Sequence, residues 1–140
     1  MQYKRGFTLM EVMVTVTVIG VIVAIGFPAY NSHMLKTRRA AASACVVEFA
    51  QFMERNYTTS MSYSTDQDGE ATELPDSNCR IDLTPFYAFS LEATVQTYLL
   101  TASPIGQQGK DTSCGVLTLD QAGFRTAAGS DVPEKIRECF

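Results

Sequence analysis

The sequence predicts an α+β protein: one long N-terminal helix, membrane-spanning at its start and packed further on against a four-stranded antiparallel sheet. Three observations carry this. Residues 7–30 form an apolar run whose only charge is Glu11. Ala42, Cys45, Val46, Phe49, Phe52 and Met53 then recur at spacings of three and four, the mark of a helix with one buried face. From Phe86 the chain changes to short aromatic and β-branched runs separated by Gly, Pro and Asp, the pattern of strands and hairpins.

The first element divides at Gly6. Residues 1–6 are a short polar leader with Lys4 and Arg5. The 24 residues from Phe7 to Tyr30 would span about 36 Å as a helix, enough to cross a bilayer with some tilt. Val12, Val14, Val16, Val18, Ile19, Val21, Ile22, Val23 and Ile25 are β-branched and weakly helical in water. In hydrocarbon the backbone must satisfy its own hydrogen bonds, which leaves helix as the form open to an isolated segment. A secretory signal peptide and a plain signal anchor both fit the basic leader, but neither accounts for Glu11. A lone carboxylate inside a membrane helix costs about 2.5–3.5 kcal/mol on insertion scales and needs a partner. A cut between Gly6 and Phe7 would create one, a new α-amino cation. Gly20, Gly26 and Pro28 interrupt the run, and Pro28 removes a backbone hydrogen bond.

Past Tyr30 the helix is expected to continue to about Tyr57, helped by Ala40, Ala41 and Ala42. Lys36, Arg38 and Arg39 read as a solvated or subunit-facing patch more simply than as a phosphate site. Residues 58–85 are polar, and Asp66, Asp68, Glu70, Glu73 and Asp76 have no basic residue among them. Asp66-Gln67-Asp68-Gly69-Glu70 lacks the spacing and the terminal bidentate Glu of an EF-hand, so it reads as an exposed acidic loop. The four strands are expected at residues 86–92, 94–102, 115–119 and 124–126. They form two hairpins, joined near Glu92-Ala93 and around Asp120-Gln121-Ala122-Gly123. Residues 103–109 and 129–140 read as a loop and a polar tail.

The formal charge is −4 and becomes −6 without Lys4 and Arg5. That balance argues against a general nucleic-acid binder. Cys45, Cys79, Cys114 and Cys139 stand apart, with no C-x2-C pair and a single histidine, His33. They read as two disulfides of an exported chain rather than zinc ligands, and four cysteines allow three pairings. No Ser/His/Asp set, phosphate loop or metal cluster is apparent, so neither an enzyme nor a cofactor is expected. The expected organisation is a leader at 1–6, a transmembrane helix at 7–30 and a globular head at 31–140.

Gly6-Phe7-Thr8-Leu9-Met10-Glu11, ahead of an apolar helix containing Pro28, resembles the class III signal of type IV pilins and pseudopilins. Asp111-Thr112-Ser113-Cys114-Gly115-Val116-Leu117-Thr118-Leu119-Asp120-Gln121-Ala122-Gly123 resembles a block of the PilE-type minor pilins. Glu54-Arg55-Asn56-Tyr57, Ala127-Ala128-Gly129 and the terminal Cys139-Phe140 are similar to the same group. The resemblance implies the pilin fold. It implies that prepilin peptidase cuts after Gly6 and that Phe7 is then N-methylated. Glu11 would neutralise a neighbouring N-terminus during assembly, and Gly20 and Pro28 would mark a helix break in the filament. It favours the pairings Cys45–Cys79 and Cys114–Cys139, the second closing a C-terminal loop. The implied partners are other pilins, and the implied course runs from the bacterial inner membrane to an extracellular pilus that supports twitching motility and adhesion. Three alternatives stay open: a DNA-uptake receptor pilin, a major pilin subunit and a type II secretion pseudopilin. Arg80, Lys110, Arg125, Lys135 and Arg137 are scattered among more acids, which argues against DNA binding.

Overall fold

The computed structural model describes residues 7–140. Helix α1, Leu9–Ser60, is followed by a short helix α2, Asn78–Leu83, and strands β1, Tyr87–Ala93, and β2, Tyr98–Pro104. A 3-10 turn at Gly106–Lys110 leads to β3, Leu117–Asp120, β4, Arg125–Ala127, and helix α3, Pro133–Cys139. The chain falls into two compact units, divided between Met34 and Leu35.

The C-terminal unit is the head. Its sheet has the order β1-β2-β3-β4 with every neighbour antiparallel. Alternation sets the faces: Tyr98, Leu100 and Ala102 on β2 and Leu117 and Leu119 on β3 point inward and are buried. Against them lies the α1 stripe of Ala42, Cys45, Val46, Phe49 and Met53. Phe49 meets Phe89 edge-to-face, with ring centroids 5.4 Å apart. Each fully buried large side chain in this layer contributes about 1.5–3 kcal/mol. Phe52 belongs to the expected stripe but is only half-buried.

Three expected features differ. Residues 94–97 are a turn, not the start of a strand: Thr94 Oγ1 accepts hydrogen bonds from the Gln96 and Thr97 amides, and Thr94 N bonds Thr97 O. That hydroxyl offers the backbone an alternative to the ladder, which β-branched composition alone does not reveal. β2 extends instead through Ser103 and Pro104. Pro104 is tolerated because it pairs with Tyr87 of β1 beyond the last residue that β3 pairs. The expected loop at 103–109 and tail at 129–140 contain the 3-10 turn and α3. Helix α3 starts on Pro133, whose fixed φ suits a first helical turn.

Helix α1 runs three residues past its expected end and closes on Met61 at φ 55°, whose amide bonds Tyr57 O at 2.9 Å. This is a left-handed C-terminal cap built with Met where Gly is usual. Cys45 is bonded to Cys79 and Cys114 to Cys139, with Cα atoms 5.7 and 5.5 Å apart. The first joins α1 to α2 and the second joins the segment before β3 to the last residue of α3. Their closures of 34 and 25 residues each stabilise the head by about 3.5–4 kcal/mol on the chain-entropy model.

Candidate functional site

In the N-terminal unit every side chain from Phe7 to His33 is exposed. Phe7 is 82 % and Ile25 74 % exposed. The helix is long and apolar enough to cross a membrane, and its apolar window buries nothing inside the chain. Glu11 stands in the first turn, where a negative charge complements the helix dipole. Its amide donates to Thr8 Oγ1 at 3.3 Å and to Thr8 O at 3.1 Å. Thr8 is therefore the N-cap, and Thr8-Leu9-Met10-Glu11 has the S/T-x-x-E spacing of a capping box. Thr8 is a residue that the charge argument for Glu11 passed over, although this spacing was readable. Thr15 and Thr17 turn their hydroxyls onto the Val12 and Met13 carbonyls, so neither presents an unpaired donor to lipid.

Gly6, the expected cleavage residue, lies outside the described residues. Gly20 and Pro28 lie inside an unbroken α1 in the single chain. A Cβ placed on Gly20 or Gly26 would meet nothing within 4 Å, so no contact inside the chain requires glycine there.

In the head, the basic group at residues 36–39 is not one solvated patch, which corrects the expectation. Arg39 is 6 % exposed, and its Nη1 reaches both Asp111 carboxylate oxygens at 3.0 and 2.9 Å. Arg38 stacks on the Phe86 ring, 3.7 Å from its centroid. Asp111 lies 72 residues away, and nothing local to Arg39 reveals that partner. Lys36 is exposed.

Three tyrosines gather at the far end of α1. Tyr63 and Tyr98 both donate to the Glu54 carboxylate at 3.1–3.2 Å, and Tyr57 stacks on Tyr63. Burial, then the neighbouring Glu54 charge, pushes the Tyr98 phenol well above its ordinary range. Tyr63 and Tyr87 are raised chiefly by burial. In the acidic loop, Asp66 Oδ1 accepts the Asp68 and Glu70 amides, so this carboxylate organises a turn. No group of three or more His, Cys, Asp or Glu that could hold a metal is found among the described residues. A shallow depression of about 490 Å³ next to this loop is lined by Phe52, Arg55, Asn56, Thr59, Asp66, Gln67 and Asp68.

Comparison with known proteins places the chain. Residues 28–118 match the profile of a family described as type IV minor pilin ComP, DNA uptake sequence receptor. Residues 1–27 match the prokaryotic N-terminal methylation motif. The chain belongs to the type IV pilin family. Over 100 residues it is 30 % identical to the type IV major alpha-pilin of Moraxella bovis, covering 61 % of this chain and 63 % of that protein. Over 38 residues it is 42 % identical to the fimbrial protein EcpB of Eikenella corrodens, covering 27 % of this chain and 24 % of that protein. The matches thus span less than two thirds of these relatives' own length. Among solved structures, a type IV pilin from Shewanella oneidensis aligns with a TM-score of 0.51 and 29 % identity, over 69 % of this chain and 94 % of that one. The non-core minor pilin PilV of Neisseria meningitidis aligns with a TM-score of 0.52 over 71 % of this chain and 91 % of its own, and at 24 % identity it supports the fold alone.

Proposed function

We propose that this chain is a minor subunit of a type IV pilus. It is made with a leader that prepilin peptidase removes after Gly6, it is N-methylated at Phe7, and it is held in the inner membrane until assembly. The observation that carries the reading is the stretch from Phe7 to Tyr30, helical from Leu9, apolar on all sides, unburied among the described residues, and charged only at Glu11. Such a helix needs lipid first and other apolar helices afterwards. In the filament, Glu11 offsets the N-terminal cation of a neighbouring subunit, and the segment from Gly20 to Pro28 is where helix would open. The contribution is structural, without catalysis, and supports motility and adhesion through the fibre.

Two measurements test this. Quantitative mass spectrometry of sheared surface filaments is expected to find the chain at trace level, beginning at methylated Phe7. A dominant amount would make it the major subunit. Processed protein left in the membrane and absent from pili would indicate a secretion pseudopilin. The second measurement isolates the charge of Glu11. Glu11→Gln keeps the size and polarity of the side chain and removes the charge, while the bond from the residue 11 amide to Thr8 is available in any variant. It is expected to impair incorporation as severely as Glu11→Ala, with cleavage after Gly6 intact. Normal incorporation of Glu11→Gln would mean that assembly does not need the charge of Glu11.

A second reading, a receptor for DNA uptake, is supported by the family profile over residues 28–118. Against it stands the head's charge: residues 35–140 carry nine Lys and Arg against fourteen Asp and Glu. Arg39 is already committed to Asp111. Binding of duplex DNA by the head that weakens steeply with salt would establish it. No retention at 50 mM salt would remove it.

A further inference from the structure

Between the part of α1 that buries nothing and the part that fills the core lies a band of polar tethers. Gln108 is fully buried, and its Nε2 donates to Leu35 O at 3.0 Å and to Tyr87 Oη at 3.2 Å. One turn further along α1, Arg39 holds Asp111 through both carboxylate oxygens and donates from Nη2 to Glu138 O at 3.3 Å. One more turn on, Ser43 Oγ donates to Phe140 O at 3.4 Å. Apolar burial on α1 begins at Ala42. The 3-10 turn with the Asp111 that follows it, and the C-terminal end of the chain, therefore grip three successive turns of α1 by direction-dependent bonds, the first two ahead of the apolar packing.

A greasy contact could hold this part of the helix more cheaply. The Arg39–Asp111 pair is desolvated on both sides, with side chains 7 % and 5 % exposed. Replacing such a pair by apolar groups of similar volume is often neutral or stabilising. No protein donor reaches Gln108 Oε1, a buried acceptor left unpaired among the described residues. Such an atom carries a desolvation cost that Leu or Met at the same place would avoid. What these groups supply, and apolar ones would not, is a fixed position for individual backbone atoms. Leu35 O is the acceptor for the Arg39 amide in helix geometry, so Gln108 fixes one end of that hydrogen bond and Arg39 the other.

We propose that Gln108, Asp111 and Arg39 form a stop on α1, at which fraying or unwinding of the upstream helix ends before it reaches the head. The upstream stretch is prone to open outside lipid: it holds Gly26, Pro28 and a run of β-branched residues, and it is exposed among the described residues. Without a stop, lost turns would propagate toward Ala42 and loosen the core-facing stripe. The inference concerns the single chain and holds whether or not the chain enters a filament.

Residue-resolved hydrogen exchange on the full chain in detergent micelles tests it. In the unaltered protein, amides of residues 29–38 are expected to exchange fast and protection to rise sharply at Arg39. In Asp111→Asn and in Gln108→Leu the rise is expected to move toward Ala42–Val46, with residues 39–43 exchanging about tenfold faster and the sheet amides unchanged. The double variant Arg39→Met with Asp111→Leu keeps packing and removes the bonds from Arg39 to Asp111 and to Glu138 O. It is expected to show the same displaced step at unchanged head stability, which keeps the test decisive if a single variant fails to fold. A step that stays at Arg39 in the double variant overturns the proposal. So does a loss of protection spread evenly over helix and sheet, because that is the mark of a merely structural pair.

Discussion

The two halves of α1 belong to one helix, whose backbone ladder lacks a donor at Pro28, and they are opposite in everything else. From Leu9 to Tyr30 the helix is apolar all round apart from Glu11 and entirely exposed, while from Ala42 to Met53 it is apolar on one stripe and that stripe is buried. The same composition rule thus describes two different solvents. A one-sided stripe needs one partner, the sheet, and finds it within the chain. A helix apolar on every side needs surroundings on every side, which a head of this size cannot provide. Exposure of Phe7 and Ile25 is therefore no defect of folding, because their partners lie outside the chain.

The sharpest way to break this comparison is to truncate one large apolar side chain to alanine in each half. Phe49→Ala removes a fully buried ring in edge contact with Phe89. It is expected to cost about 3–5 kcal/mol of head stability in denaturant titration. Ile19→Ala removes an exposed side chain and is expected to shift the same titration by no more than about 0.5 kcal/mol. Its effect should appear instead in filament incorporation. Equal losses of head stability from both would mean that the upstream helix folds back on the head.

Removing Cys45–Cys79 by the double change to Ser is the next largest perturbation, expected to cost about 3.5 kcal/mol. Its loop holds the acidic segment and α2 to the buried stripe. Limited proteolysis should then cut within residues 61–77 before any site in the sheet. First cleavage between β3 and β4 would show that this bond holds something other than that segment.

Alkaline pH separates three tyrosines of the head from the rest. Tyr63, Tyr87 and Tyr98 all have phenols raised above the ordinary value of 10.0. The folded state thus holds their protons more tightly than the unfolded chain does. Stability from this source is complete below pH 10, where both states are protonated. It is lost as pH rises above 10 and the unfolded chain ionises first. The denaturant midpoint should therefore be flat to about pH 9 and fall steeply beyond 10. Tyr98→Phe should lower stability at neutral pH by about 1 kcal/mol, through the lost bond to Glu54, and make the alkaline fall shallower. An unchanged alkaline slope would show that Tyr98 does not contribute to it.

Much of this was legible in the sequence because periodicity reports burial. The stripe from Ala42 to Met53 and the inward residues Leu100, Leu117 and Leu119 all lie at the spacings that their elements require. The turn at Thr94–Thr97 was misread because a threonine hydroxyl that bonds backbone has the same letter as one that packs in a strand. Helices α2 and α3 escaped notice because neither begins with a side-chain cap, and only Pro133 marked a start. Of the groups around Leu35 and Arg39, the sequence offered the arginine but not its partners. Asp111 and Gln108 lie about seventy residues away, at a distance no local pattern spans. The cysteine pairing likewise came through the resemblance, since spacing alone left three choices.

The smallest expected effect lies where α1 ends. Met61 is 70 % exposed and holds a left-handed backbone at φ 55°, which an L side chain adopts at a cost. Glycine adopts it without that cost but gives the unfolded chain more freedom, so the net gain of Met61→Gly is about 0.5–1 kcal/mol at most. The cap bond from residue 61 to Tyr57 O is made by backbone and is kept. Denaturant titration of the head should therefore show a modest increase in stability with an unchanged slope. A decrease would mean that the Met61 side chain, though largely exposed, contributes more through its contacts than its backbone strain costs. The buried half of α1 would then reach one residue further than its burial pattern indicates.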